Sequence, residues 1–225
     1  MSSLGAKAMA GLANRLTTMG LVLFVSAWSL NFWQGWVFLI VAAVLQLLIV
    51  GFFLRTDPAL VGRRLKFGPS IETRPRQRLS MLLVKLSIVA LMAVAGLDHR
   101  FGWSRVSPPF VIAADGGLLI GFWIQFQTFR ANTFASAVIQ ITEQQRVISS
   151  GPYALVRHPM YSGAMIVNFL TPIALGSWWG LLFAVTWLAA IVLRILDEEK
   201  LLHESLPGYE EYCRRVQYRL IPGVG

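Results

Sequence analysis

Long uncharged stretches alternate with short basic ones along the whole chain. Gly35 to Leu54 (GWVFLIVAAVLQLLIVGFFL) carries no charge over a length that crosses a bilayer core of roughly 30 Å. A weaker apolar run, Leu16 to Phe32, precedes it, with Lys7 and Arg15 in front. No small-x-small cleavage site follows and the next span starts at once, so this run reads as a retained first helix rather than a signal peptide. Ser80 to Leu97 and Pro109 to Phe129 supply two further spans. The last apolar region, Ala164 to Leu196, would reach about 50 Å as one helix. Pro172 and Gly176 fall near its middle, so the pattern predicts a hairpin of two helices broken there. Beyond it, Tyr209 to Val216 has a short amphipathic pattern, started by Pro207-Gly208, that fits either a surface helix or a packed tail.

The expected architecture is therefore all-α, a polytopic transmembrane bundle of five to seven helices with a C-terminal helical hairpin. Residues 1–129 form the N-terminal transmembrane helices. Residues 130–225 form a C-terminal region with its hairpin at 160–196, within one integrated membrane domain. Composition agrees: of 225 residues 56% are hydrophobic and 14% charged, where soluble domains carry about 25% charged residues. The net charge of +9 raises the question of nucleic acid. The basic residues, however, lie in the connectors, which suits lipid headgroups and membrane topology instead. One cysteine, Cys213, excludes an intrachain disulfide, and three scattered histidines give no metal-ligand spacing, so no metal is expected.

The connector from Arg55 to Leu79 holds Arg55, Arg63, Arg64, Lys66, Arg74, Arg76 and Arg78. The short connector after Phe32 is uncharged. The positive-inside rule then places the N-terminus and the 55–79 connector in the cytoplasm, and a bacterial inner membrane is the expected setting. Counting spans onward puts the 130–161 segment and the C-terminal tail on that same side.

Two polar features share that side. The first is Gly151 to Gly163, GPYALVRHPMYSG, which abuts an apolar run. Gly151-Pro152 signals a turn, and Pro159 is tolerated in the first turn of the following helix. Arg157 and His158 then sit at a helix entrance, where an anionic ligand group is favoured. A purely structural reading makes Arg157 a headgroup contact and the tyrosines an aromatic belt. The second feature is Asp197, Glu198 and Glu199, expected where the second hairpin helix ends. Acids are disfavoured at a helix C-terminus, so a cation must offset them. Arg194, four residues before Glu198, is one candidate; a cationic ligand group is the other.

The GPY turn, V-R-H-P-M-Y-S-G, an apolar hairpin, E-E-x-x-L and a tail of G-Y-x-x-Y ending in Y-R-L-I-P resemble the isoprenylcysteine carboxyl methyltransferase family, within a wider group of membrane phospholipid methyltransferases. The matching residues are Gly151 to Gly163, Glu198-Glu199, Leu202, Gly208, Tyr209, Tyr212 and Tyr218 to Pro222. The resemblance covers roughly the C-terminal half, from about Arg130. It implies S-adenosylmethionine as cofactor, bound around Gly151, Tyr153, Val156, Arg157, His158, Pro159, Tyr161 and Gly163. Glu198 and Glu199 would engage its amino end and ribose. It implies carboxyl O-methylation of an apolar or lipid-like acceptor, with thiol or phospholipid methylation as alternatives.

Methyl transfer from a sulfonium is an in-line displacement that draws on positioning and water exclusion. Glu199, Arg157 and His203 are the candidate catalytic residues, His203 as a base or orienting group. Gln127, Arg130 and Asn132, at the end of the fourth span, either line the acceptor site or cap a helix. Asp98, His99 and Arg100 read as a helix-exit cap on the opposite face. Asp115, inside an apolar run, is expected at a solvated helix end. Two other readings stand beside methylation: a sterol-type reductase with a nicotinamide cofactor, and a non-enzymatic accessory protein whose basic connector binds anionic lipid.

Overall fold

In a computed structural model, residues 3–65, 74–134 and 146–224 are described; parts of the basic connector (66–73) and of the 130–161 segment (135–145) lie outside them. The described residues form eight α-helices: α1 Ser3–Ala27, α2 Trp33–Thr56, α3 Pro58–Leu65, α4 Pro75–Phe101, α5 Pro108–Ala131, α6 Pro159–Ala174, α7 Leu181–Ser205 and α8 Tyr209–Arg215. A single 3-10 turn, Gly151–Ala154, precedes α6. The fold is a polytopic helical bundle, and among the described residues the only β pairing is an isolated bridge between Ile221 and Val224. Four helices, α1, α2, α4 and α5, are long and apolar enough to cross a membrane. Many large apolar side chains face outward, among them Leu21, Ile40, Leu48, Leu86, Ile120, Leu182 and Leu193. Such an apolar exterior is what a lipid solvent selects.

The helices begin and end where backbone chemistry dictates. Pro75, Pro108 and Pro159 each start a helix, where the missing N–H costs nothing. Gly102 closes α4 at φ 65°, a left-handed conformation that favours glycine. The hairpin between α6 and α7 departs from expectation in one respect. Pro172 does not break the chain; it lies inside α6, which runs on to Ala174. The break comes at Gly176, at φ 75°. Pro172 removes the one amide bond that would reach the Asn168 carbonyl, and that single loss does not stop α6.

The two ends of the bundle differ. At one, Ala8, Phe53, Leu60, Val61 and Phe129 form a core with Met160 packed on it. The start of α1, α3, the end of α5 and the start of α6 therefore share one end, as the span count requires. At the other, Asp98 accepts bonds from the Ser104 amide (2.6 Å), the Ser104 hydroxyl (2.6 Å) and Ser177. This is the helix-exit cap expected there. Trp28, Trp33, Trp36, Trp103, Trp178 and Trp179 are all exposed at that end, as an interfacial aromatic belt would be. Asp115 is not solvated as expected: it is buried, and both its oxygens lack a partner among the described residues. It follows Ala114, a member of the central core, which places it inside the packing.

Small residues set the spacing around the site. A Cβ on Gly163 would stand 2.6 Å from the Gly121 carbonyl oxygen, and one on Gly121 would stand 2.7 Å from Val167 Cγ2. The α5 and α6 backbones touch here, as small residues allow in membrane helix pairs. Gly163→Ala is expected to cost about 1–3 kcal/mol through overpacking. A lower melting temperature in detergent checks it.

Candidate functional site

Separate stretches of chain meet at the end of the bundle where α6 begins. Gly151, at φ 60°, turns the chain into the 3-10 turn with Pro152 behind it. His158 is the last residue before α6 and Pro159 its first. The C-terminal tail runs alongside this loop. The Arg157 amide donates to the Tyr218 carbonyl at 2.9 Å and the His158 amide to the Arg219 carbonyl at 3.0 Å. The Ser162 hydroxyl donates to the Leu220 carbonyl at 2.6 Å. Two of the loop's buried donors thus find partners on the tail.

The carboxylate of Glu199 is the electrostatic centre. Arg219 Nε donates to its Oε2 at 2.9 Å, His158 Nε2 lies 3.1 Å from its Oε1, and Arg157 Nε lies 3.3 Å from the same oxygen. Its side chain is 7% exposed. Burial alone would raise the Glu199 carboxyl. Hydrogen bonds from His158 and Arg219, with the charge of Arg157, outweigh burial and hold it at about 2.

The acids do not sit at a helix end as expected, since α7 continues to Ser205. The dipole penalty, confined to the last turn, does not reach them. The cations of Asp197 and Glu199 come from other elements. Asp197 pairs with Arg74 at 3.4 Å and also accepts from Gln77. The Arg194 and Glu198 side chains are joined through Tyr161: Arg194 Nε donates to the Tyr161 hydroxyl at 3.0 Å, which donates to Glu198 at 3.1 Å. Gln77, fully buried, also accepts from Arg194 at 3.0 Å and so ties α4 to α7.

Tyr153, Arg157, His158, Tyr161, Glu198 and Glu199 are thus gathered in one locale. Val156 is buried behind them, its carbonyl 3.5 Å from the Tyr212 hydroxyl. Gly163 lies one turn further along α6, against Gly121. His203 is exposed, its ring edge-on to Tyr209 at 5.0 Å and its Nε2 3.9 Å from Cys213 Sγ. Arg157 Nη1 donates to that same sulfur at 3.2 Å. Asn132 follows the end of α5 and donates to the Tyr153 hydroxyl at 3.0 Å, so it ties the helix end to the loop. Burial pushes the Tyr153 phenol up to about 12, so it stays protonated at neutral pH. Arg130 is exposed over the Phe126 ring at 5.8 Å, and Gln127 Oε1 is buried without a partner among the described residues.

Sequence reasoning assigned no site role to Arg219, Ser162 or Tyr209; their signals were the Y-R-L-I-P motif, the M-Y-S-G end of the loop motif and the G-Y-x-x-Y motif respectively. Tyr209 belongs to α8, whose Tyr209 and Tyr212 point inward, so this helix is a packed tail rather than a surface helix. The Tyr209 hydroxyl and Arg157 Nε are buried with no hydrogen-bond partner among the described residues. Buried polar atoms of this kind ask for a ligand or water.

Over 120 residues the chain is 31% identical to the Delta(14)-sterol reductase TM7SF2 of Mus musculus, an alignment that takes in 47% of this chain and 29% of the reductase. The chain thus spans less than a third of that relative's length. A family model described as phospholipid methyltransferase matches residues 110–207, which include the RHPMYSG loop, the hairpin and the glutamate pair. Residues 110–207 therefore carry the pattern of the phospholipid methyltransferase family, the group that includes the isoprenylcysteine carboxyl methyltransferases.

Proposed function

We propose that the chain is an integral-membrane methyltransferase that takes its methyl group from S-adenosylmethionine. Its acceptor is apolar or lipid-like, and the reaction is carboxyl O-methylation of the isoprenylcysteine type. The observation that carries this reading is the convergence of the 151–163 loop, the glutamate pair and the tail on one half-buried locale. These are the pieces through which the sequence resembles the family. The basic connectors favour placing this locale at the cytoplasmic face of the membrane.

The residues present fit such a cofactor. The Tyr209 hydroxyl is buried without a hydrogen-bond partner among the described residues, and Arg157, ion-paired to Glu199 at 3.3 Å, stands beside it, a combination suited to an amino-acid carboxylate. Glu198, half-buried beside Tyr161, suits an ammonium or a ribose hydroxyl. Tyr153, Tyr161 and Tyr209 offer aromatic faces to a sulfonium or an adenine. When bound, the cofactor supplies an electrophilic methyl group. The protein's part is to orient and to exclude water. Glu199 holds Arg157 and His158 in place; Asn132 fixes the Tyr153 phenol, and Tyr212 donates to the Tyr153 carbonyl at 2.8 Å. A carboxylate acceptor arrives already ionised and needs no general base.

Calorimetric titration of the purified protein with S-adenosylhomocysteine tests the reading. Micromolar binding is expected, and His158→Ala should weaken it about tenfold or more, since a bond to a charged partner is lost. The similarity to a sterol reductase supports a second reading, a nicotinamide-dependent reductase. Binding of reduced nicotinamide cofactor with none of S-adenosylhomocysteine would sink the methyltransferase reading in favour of the reductase.

A further inference from the structure

We propose that Arg64 receives an anionic group of the acceptor, whose apolar tail lies along an aromatic wall between α2 and α5. This rests on the methyltransferase reading for the word acceptor, but its geometry is independent of the cofactor residues. Arg64 belongs to α3, outside residues 110–207. It is a residue of this chain that the family pattern does not supply.

The guanidinium is half-buried and pairs with no acid: among the described residues no carboxylate lies within ion-pair distance of it. Its contacts are soft. Nη1 lies 3.4 Å from the Met160 sulfur, a weak acceptor, and Cζ stands 4.3 Å from the centre of the Phe129 ring. Most of its five N–H donors are left for something else. Burial lowers its pKa to about 10, with Arg15 adding repulsion. A partly desolvated cation without a counter-ion is costly, and an incoming carboxylate or phosphate removes that cost. Neighbouring Arg63 is engaged differently, reaching Asp57 and the Thr133 carbonyl.

The location ties this cation to the site. Met160 is part of the RHPMYSG loop, next to Tyr161. From Arg64 a run of aromatic rings leads outward to lipid. Phe129 meets Phe53 at 6.1 Å, Phe53 meets Phe126 at 5.6 Å, and Phe126 meets Phe52 at 5.0 Å and Trp123 at 5.7 Å. Phe52 and Trp123 are 39% and 59% exposed on the outer surface. The charge at the inner end and the apolar wall reaching lipid fit an amphiphile with one anionic head. A cationic or neutral head would leave Arg64 unpaired or repelled.

The test compares myristate with myristyl alcohol as probes of equal chain length, titrated into the full chain in phosphatidylcholine nanodiscs and followed by tryptophan fluorescence. Myristate should bind about tenfold or more tightly, the range for a charge-assisted hydrogen bond. Arg64→Gln should erase the preference and Arg64→Lys should keep part of it. Equal affinity of the two probes for the wild type, or a full preference in Arg64→Gln, overturns the proposal. So does loss of the preference when phosphatidylglycerol is added, since the cation would then serve a membrane headgroup. S-adenosylhomocysteine binding by the same samples separates the two readings and reports correct folding of the variants. Intact binding without a head-group preference refutes only the role of Arg64, and a preference without cofactor binding refutes only the methyltransferase.

Discussion

Glu199→Gln is expected to make S-adenosylhomocysteine binding undetectable and to destabilise the fold by about 3 kcal/mol. The substitution conserves shape, so the loss would be electrostatic. In the wild type one carboxylate faces Arg219, His158 and Arg157. Taking its charge away leaves two guanidinium groups and an imidazole crowded in a poorly hydrated locale with nothing to balance them. Removing one member of a buried ionic cluster is far costlier than never having had the cluster. The same charge sets a pH signature. The Glu199 carboxyl is held at about 2, below its ordinary 4.5. The stabilisation is therefore complete above about pH 4.5 and is lost as the pH falls towards 2. A depression of that size is worth roughly 3 kcal/mol. Chemical unfolding of the wild type at pH 7, 4 and 3 should show the decline, and Glu199→Gln should lack this component. A variant that binds as the wild type does would remove Glu199 from the site.

The spans were legible because a bilayer imposes a length and a polarity that few other environments share. Gly35–Leu54 and Pro109–Phe129 fall within α2 and α5 almost to the residue. The same legibility made the shared end of the bundle countable before any contact was known. Besides that of Asp115, two local readings failed for physical reasons. Pro172 was taken as a break together with Gly176, but a proline removes a single amide bond and α6 runs past it to Ala174; the left-handed Gly176 ends the helix instead. The acids 197–199 were taken as a helix terminus because the apolar run stops at Leu196. Hydropathy reports where lipid contact ends, and α7 continues in a polar environment for two more turns. The distinction matters for function. One compensating cation was sought within the same helix, at Arg194, which does reach Glu198 through Tyr161, whereas those of Glu199 arrive from the loop before α6 and from the tail and that of Asp197 from Arg74. No spacing rule links Glu199 to Arg219. Their meeting depends on the tail folding back over the loop, a tertiary event that a single sequence does not encode as a pattern. The close glycine contacts, Gly121 with Gly163 and Gly96 with the Leu23 carbonyl, are of the same kind, visible only once the helices are paired.

Ending the chain after Gln217 is expected to weaken S-adenosylhomocysteine binding by about two orders of magnitude while leaving the helical bundle folded. None of the four long apolar helices lies in the removed segment, so helicity and solubility in detergent should persist. The loss falls on the loop before α6. It would forfeit its two backbone bonds to Tyr218 and Arg219, the Ser162 bond to Leu220 and the Arg219 bond to Glu199. At a net of about 1 kcal/mol for each neutral bond and more for the charged one, the bound-like loop is disfavoured by about 4 kcal/mol. A ligand that needs that loop ordered must supply the ordering itself, and its apparent affinity falls by the fraction of molecules still competent. Some of the loss is recovered where water satisfies the freed amides, which brings the expected factor to about one hundred. Arg219→Met separates the parts. It keeps the backbone pairing and removes the ion pair alone, which is 43% exposed on the arginine side and should cost only about tenfold. If the truncation and Arg219→Met weaken binding equally, the backbone pairing contributes nothing and the tail acts through one side chain. If neither weakens it, the tail merely covers the site, and the cofactor must be held by the loop and α7 alone.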